Sequence, residues 1–268
     1  MNMTMGKVTS KDGTTIAFER AGEGAPLILV DGAMCSRAFG PMPKLAPLLA
    51  RHFTVYWYDR RGRGDSGDHA SHDVQREVED LDALIREAGG SACVAGLSSG
   101  AVLALEAAAA GLPIRRLAVY EPPYVGGDHR GAHHREALEA LVAQDRRADA
   151  VKYFMRDMVG APAFVVVMMR CMPWIFRKLK AVAHTLPYDA ALLGDFTVPA
   201  RFAMIATPTL AIAGEKSPRP LRDAVAKVAA TLPNADHLTL RGQTHNVKAA
   251  VLTPALVEFF APPQFART

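Results

Sequence analysis

The sequence predicts an α/β fold: a mostly parallel sheet covered on both faces by helices. Three observations carry that expectation. Short apolar runs alternate with segments of helical period along most of the chain. The pentapeptide Gly96-Leu97-Ser98-Ser99-Gly100 joins one such run, Cys93-Val94-Ala95, to an Ala/Leu-rich helical run that begins at Ala101. The alternation breaks once, between about Gly126 and Ala203, where helical patterns follow one another without a convincing strand.

Taken in order, Thr15 to Arg20 and Pro26 to Val30 read as strands separated by a Gly22-Glu23-Gly24 turn. Thr54 to Tyr58 is a third, rich in aromatic and β-branched residues. Val74, Val78, Leu81, Leu84, Ile85 and Ala88 recur at helical spacing and stop at Gly89-Gly90. Ala92 to Gly96 reads as a strand, Ser99 to Ala110 as a helix closed by Gly111 and Pro113, and Arg116 to Tyr120 as a strand. After the helical stretch come a strand at Thr209 to Ala213, a helix at Arg219 to Leu232, a strand at His237 to Leu240 and a helix at Pro254 to Phe260. The expected organisation is a core of residues 1–125 and 204–268 interrupted by a helical cap of residues 126–203.

Composition narrows the function classes. At 268 residues the chain can bury a substantial core, and 50% apolar with 22% charged residues is globular rather than disordered. The net charge of +4 is weak and dispersed, which argues against nucleic acid as a partner. Cys35, Cys93 and Cys171 show no C-x-x-C spacing, so neither a disulfide framework nor a zinc site is expected. Met1 to Ser10 lacks an apolar signal region, and the longest uncharged apolar stretch, Ala161 to Met169, is too short to cross a bilayer. The expectation is a cytoplasmic protein with a small-molecule substrate, no stable membrane insertion, and a homodimer left open.

Gly96-Leu97-Ser98-Ser99-Gly100 fits a nucleophile elbow, in which a serine is held on a strained strand-to-helix turn and presented at the edge of a sheet. Asp59-Arg60-Arg61-Gly62-Arg63-Gly64-Asp65-Ser66-Gly67 follows an earlier strand. Part of it, Gly62 to Gly67, also fits a dinucleotide fingerprint, but that reading needs a helix to open within the glycines. Asp68 to His72 intervene before the helical run begins, so no nicotinamide or flavin cofactor is expected.

With both motifs in this order, the chain resembles the α/β-hydrolase superfamily over essentially its whole length. The nine-residue stretch matches that family's D-x-R-G-x-G-x-S pattern at every fixed position. The resemblance implies an eight-stranded sheet and a triad in the order serine, acid, histidine. His245, in Gly242-Gln243-Thr244-His245-Asn246 after the last strand, stands where the family has its base. The acid departs from the commonest pattern: in Gly214-Glu215-Lys216-Ser217, Ser217 occupies the position of the usual aspartate. Some members, including zearalenone lactonase, take the acid from the end of the preceding strand, where this chain has Glu121 before Pro122-Pro123. Glu121 is the favoured acid, with Glu215 the alternative and a missing carboxylate the third possibility.

The family's oxyanion hole implies two backbone N–H donors: that of Ser99, and one from Val30-Asp31-Gly32-Ala33-Met34, with Ala33 favoured over Met34. Zearalenone lactonase shares the Asp-Gly and Ser-Ser-Gly motifs, which points towards an ester or lactone. In the cap, Met155, Met158 and Trp174, together with Met34, are the candidate lining of an apolar substrate site. His129, His133 and His134 read as a polar face rather than a metal site, and Arg170, Arg177, Lys178 and Lys180 as a solvated rim. No metal or cofactor is expected. The implied activity is a serine hydrolase acting on an ester or lactone. The same scaffold also hosts C–C hydrolases, peroxidase-like enzymes, lyases or cyclases, and non-catalytic receptors.

Overall fold

The computed structural model describes residues 3–69, 72–126, 131–162, 168 and 171–261. Its centre is an eight-stranded sheet. The strands are β1 (Met3–Thr9), β2 (Thr15–Ala21), β3 (Pro26–Val30), β4 (Thr54–Tyr58), β5 (Ala92–Leu97), β6 (Ile114–Tyr120), β7 (Thr209–Gly214) and β8 (Ala235–Leu240). Their spatial order is β1-β2-β4-β3-β5-β6-β7-β8. β2 runs antiparallel to β1 and β4, and every pairing from β4 to β8 is parallel. Parallel strands covered on both faces are apolar throughout, and β5 and β7 are buried along their full length.

Helices cover the two faces. On one side α2 (Val74–Glu87), α3 (Ser99–Ala109) and α8 (Arg219–Thr231) close a core that includes Leu81, Val94, Leu103, Val119 and Val225. On the other, α1 (Met42–Leu49) and α9 (Ala249–Phe260) pack Leu45, Leu49, Leu252 and Phe260 over Leu29, Trp57 and Ile212. The Asp73 side chain caps α2 by accepting the Gln75 N–H.

Between β6 and β7 the described residues form helices and turns only: α4 (Gly131–Ala143), α5 (Arg147–Tyr153) running into a π-helical turn at Phe154–Met158, α6 (Pro173–Ala181) and α7 (Leu186–Leu193). This insertion has its own apolar cluster, with Leu138, Val151, Phe154, Leu179 and Leu186 at its centre, and α7 packs against α3.

Three elements differ from the sequence reading. β1 was not expected because its residues are largely exposed and lack apolar alternation. α1 carries Pro47 in its interior, yet Met42, Leu45, Ala46 and Leu49 are buried at helical spacing, and that burial holds the helix despite the missing N–H. α9 begins at Ala249 rather than at Pro254, so Pro254 lies inside the helix and does not start it.

The elbow glycines are set by packing. A Cβ on Gly96 would run into Gly100 O and Ala101, and one on Gly100 into Val30 O and Asp31 O. Gly100→Ala therefore forces α3 away from the end of β3. It is expected to cost about 1–3 kcal/mol, read as a lowered Tm in thermal unfolding; an unchanged Tm would contradict this packing.

Candidate active site

Ser98 links β5 to α3 with φ 54° and ψ −125°, a conformation that L-residues adopt only under constraint. Its N–H donates to Tyr120 O at 2.9 Å, which ties the bend to the end of β6. The next residue, Glu121, also has positive φ, 47°, and its N–H donates to Ile212 O of β7. The turn directs the Glu121 side chain along the carboxyl edge of the sheet, where it is fully buried.

The structure brings Ser98, His245 and Glu121 together. With Nδ1 protonated, His245 donates to Glu121 Oε2 at 2.8 Å, and its Nε2 stands 3.2 Å from Ser98 Oγ, placed to accept the hydroxyl proton. Glu121 Oε1 accepts the Gly214 N–H at 2.7 Å, so both carboxylate oxygens are engaged. Burial works against the charge on Glu121. The hydrogen bonds from His245 and Gly214, with the neighbouring Ser217 hydroxyl, outweigh it and hold the carboxyl below the usual range. Ser217 Oγ is buried beside Gly214 and makes no hydrogen bond of normal geometry. The Tyr120 hydroxyl donates to Thr244 O at 2.6 Å and fastens the histidine loop to β6. Glu215 is not brought to His245; its Oε2 accepts the Gly242 N–H at 2.7 Å.

Gly32 lies against the nucleophile: a Cβ there would stand 3.1 Å from Ser98 Cβ and 3.7 Å from Oγ. Among the described residues, the Ala33 and Ser99 N–H groups have no protein acceptor. Asp31 is buried; its Oδ1 accepts the Gly32 N–H at 2.8 Å, while Oδ2 has no partner of normal geometry. Burial is the main cause that pushes the Asp31 carboxyl up to about 7, against the hydrogen bonds from Gly32 and Cys35 and the charges of Arg63 and Arg60.

Of the apolar candidates, Met34, Met155 and Met158 pack with Ala33, Phe39, Tyr153, Ile175 and Phe176 on the insertion cluster. Trp174 is not brought there. α6 turns Ile175, Phe176 and Leu179 towards the insertion cluster and leaves Trp174 58% exposed. Arg177 and Lys178 are exposed and Lys180 half-buried, with the Lys178 and Lys180 ammonium groups 5.2 and 5.5 Å from the Phe39 and Phe176 ring centroids. His134 is buried with Nδ1 2.9 Å from the Tyr153 hydroxyl. His129 and Arg170 lie outside the described residues. Among the described residues no cluster of His, Cys, Asp or Glu is arranged to hold a metal.

A buried ionic group beneath the elbow was not visible in the sequence. Asp189, on α7 and fully buried, accepts from Ser99 Oγ, Arg60 Nη1 and Arg63 Nη2, each at 2.8 Å. Arg60 also forks onto Glu77 at 2.6 and 2.8 Å. Arg63 Nη1 donates to Gly32 O at 2.6 Å. The arginines stand in a recognisable motif, but Asp189 lies far along the chain in a helix that no motif marks.

With this geometry in hand, the comparisons with known proteins place the chain. A model of the alpha/beta hydrolase family matches residues 27–255, and the chain belongs to that family. The structure of an alpha/beta hydrolase from Sphaerobacter thermophilus DSM 20745 superposes with TM-score 0.89 at 52% identity, over 96% of this chain and all of that one (100%). The chain is also 28% identical over 231 residues to a pimeloyl-[acyl-carrier protein] methyl ester esterase of Xanthomonas campestris pv. campestris, covering 84% of this chain and 89% of the relative. An enol-lactonase from Burkholderia xenovorans LB400 shares the fold, with TM-score 0.71 at 21% identity over 95% of this chain and 99% of that one.

The Asp31 carboxyl carries a pH prediction. Its folded pKa is raised to about 7, above the unfolded value of 3.8, so its favourable contribution is complete below the unfolded value and is lost as pH rises through about 7. Going from about pH 5 to about pH 8, wild type is expected to lose stability relative to Asp31→Asn by on the order of 2 kcal/mol. Parallel denaturant titrations check this; identical pH profiles for the two proteins would refute it.

Proposed function

We propose that the protein is a serine hydrolase that cleaves an ester or lactone bond of a fairly apolar small molecule through an acyl-enzyme on Ser98. One observation carries the reading: the continuous relay from Ser98 Oγ through His245 to Glu121, at 3.2 and 2.8 Å, on a strained elbow. In this mechanism Ser98 Oγ attacks the substrate carbonyl while His245 Nε2 takes its proton. Glu121 keeps the imidazole in the required tautomer and stabilises the imidazolium as it forms. The Ser99 and Ala33 N–H groups hold the oxyanion, Met34 being the alternative second donor. Collapse expels the alcohol oxygen, which takes its proton from His245. For a lactone that oxygen remains tethered to the acyl group. Water, deprotonated by His245, then releases the acid and restores Ser98.

Residues 126–203 serve in this reading as a cap over a core of 1–125 and 204–268, with Met34, Met155 and Met158 facing the substrate. These methionines adapt to irregular apolar shapes. The methyl ester esterase relative supports carboxylic ester hydrolysis as the reaction class. A non-catalytic receptor lacking the usual aspartate at position 217 is the less favoured reading, because Glu121 stands against His245. The reading takes the enzyme to act on a small molecule in the cytoplasm and to need no cofactor.

The test is labelling with a fluorophosphonate probe, followed by turnover on a panel of esters and lactones. Ser98→Ala is expected to abolish both. Glu121→Gln should reduce turnover by roughly 10³–10⁴-fold, the scale of losing the orienting carboxylate, and Glu215→Gln should leave it within a few-fold. Retained turnover in Ser98→Ala sinks the mechanism. A fully active Glu121→Gln beside an inactive Glu215→Gln moves the acid.

A further inference from the structure

The ionic group under the elbow touches Ser99 itself and, through Gly32 O, the peptide unit that carries the Ala33 N–H. Arg63 Nη1 donates to Gly32 O at 2.6 Å, and Gly32 C=O belongs to the same peptide unit as the Ala33 N–H. On the elbow side, Asp189 accepts the Ser99 hydroxyl at 2.8 Å. The same carboxylate receives Arg63 Nη2 through its other oxygen, also at 2.8 Å. Arg63 Nε is satisfied by Thr185 Oγ1 at 3.2 Å, and the arginine is 1% exposed. Three of its five N–H donors thus go to a loop carbonyl, a buried carboxylate and a hydroxyl from the insertion.

We propose that Arg63, anchored by Asp189, is a positioning residue of the oxyanion hole, and that α7 of the insertion is through Asp189 part of the catalytic framework. This rests on the hydrolase reading above. Two physical effects follow from the contact. A charged donor on a peptide oxygen fixes the plane of that peptide, so its N–H is pre-aimed and need not reorganise as charge develops. It also polarises the amide, drawing electron density towards oxygen and making the N–H a stronger donor, in the manner of cooperative hydrogen-bond chains. Neither effect requires Arg63 to touch the substrate. Both act more on the transition state than on the bound ester, because only the transition state places full negative charge on the oxygen.

The test compares wild type with Arg63→Gln, Arg63→Lys and Asp189→Asn. It uses a p-nitrophenyl ester as substrate and a phenylboronic acid as a probe that forms a tetrahedral anionic adduct on serine. Arg63→Gln is expected to lower kcat about tenfold or more, a fraction of the loss caused by deleting an oxyanion donor outright, with KM within about twofold. Boronate affinity should fall by the same factor as kcat/KM, and Arg63→Lys should regain part of both. If Arg63→Gln does not fold, the near-isosteric Asp189→Asn decides on the same readouts. A folded variant with unchanged kcat and boronate affinity overturns the inference, as does a loss confined to KM or to the yield of folded protein. If wild type itself neither takes up the fluorophosphonate at Ser98 nor hydrolyses the ester, the hydrolase reading falls and this inference with it. A labelled, active wild type with insensitive variants overturns this inference alone.

Discussion

The candidate site depends on one backbone constraint, the bend at Ser98. Its left-handed φ is held because Gly96 and Gly100 bring β5, α3 and the end of β3 closer than any side chain would allow. The conformation costs on the order of 1–3 kcal/mol and persists only where its surroundings leave no alternative. Those surroundings are the sheet itself: β5 is buried along its length and paired on both sides by parallel neighbours. Met34, Ser98 and Glu121 all have positive φ and all follow directly on strands or their exit loops, after β3, β5 and β6. Asp145 and Phe196 of the insertion share this conformation, but the other three lie at the carboxyl ends of the sheet's strands, where the candidate site stands and the sheet holds them.

Beneath that bend lies an unusual concentration of buried charge. Arg60, Arg61 and Arg63 are each nearly inaccessible, and each finds carboxylate partners: Glu77 and Asp189, Asp80 and Asp12, and Asp189 respectively. Taking such ions out of water is expensive, and the pairing largely offsets that expense rather than adding stability. What the arrangement provides is geometry. A buried guanidinium held at Nε and at both terminal nitrogens admits few alternative placements, so the loop after β4, helix α2 and the insertion are held in register with the elbow. Apolar side chains of the same volume could fill the space without specifying where the peptide of Gly32 and Ala33 must lie.

How much of this was legible in the sequence follows from whether the signal was local. Strands β3 to β7 announced themselves because strands buried on both faces must be apolar runs. The edge strand β1, half solvated, had no such requirement and left no pattern. α1 was hidden by Pro47 although its buried spacing was present, and α9 was cut short by reading Pro254 as a start. Ser98 and His245 were legible as candidates through motifs that encode a turn and a loop. Asp189 was not, because its role comes from arginines more than a hundred positions away, a pairing that no periodicity reports. The orientation of Trp174 is hidden for a related reason: composition marks an apolar helix but does not say which of Trp174 and Phe176 turns inward.

Glu121 shows how a carboxylate can reach one histidine from two places in the chain. β6 and β7 are parallel neighbours, with Tyr120 paired to Ile212, so their carboxyl ends open onto the same few ångströms of space. A carboxylate leaving either strand can meet the histidine loop that follows β8. In this chain the position after β7 holds Ser217, too short and uncharged to orient an imidazolium, and its buried hydroxyl sits beside Gly214. Glu121, entering from β6 with a left-handed backbone, takes the Gly214 N–H with one oxygen and His245 with the other. The backbone of β7 therefore still contributes to the carboxylate although its side chain does not. What the proposed relay demands is a negative charge at a fixed point relative to Nδ1 of His245, and the sheet leaves open which strand supplies it.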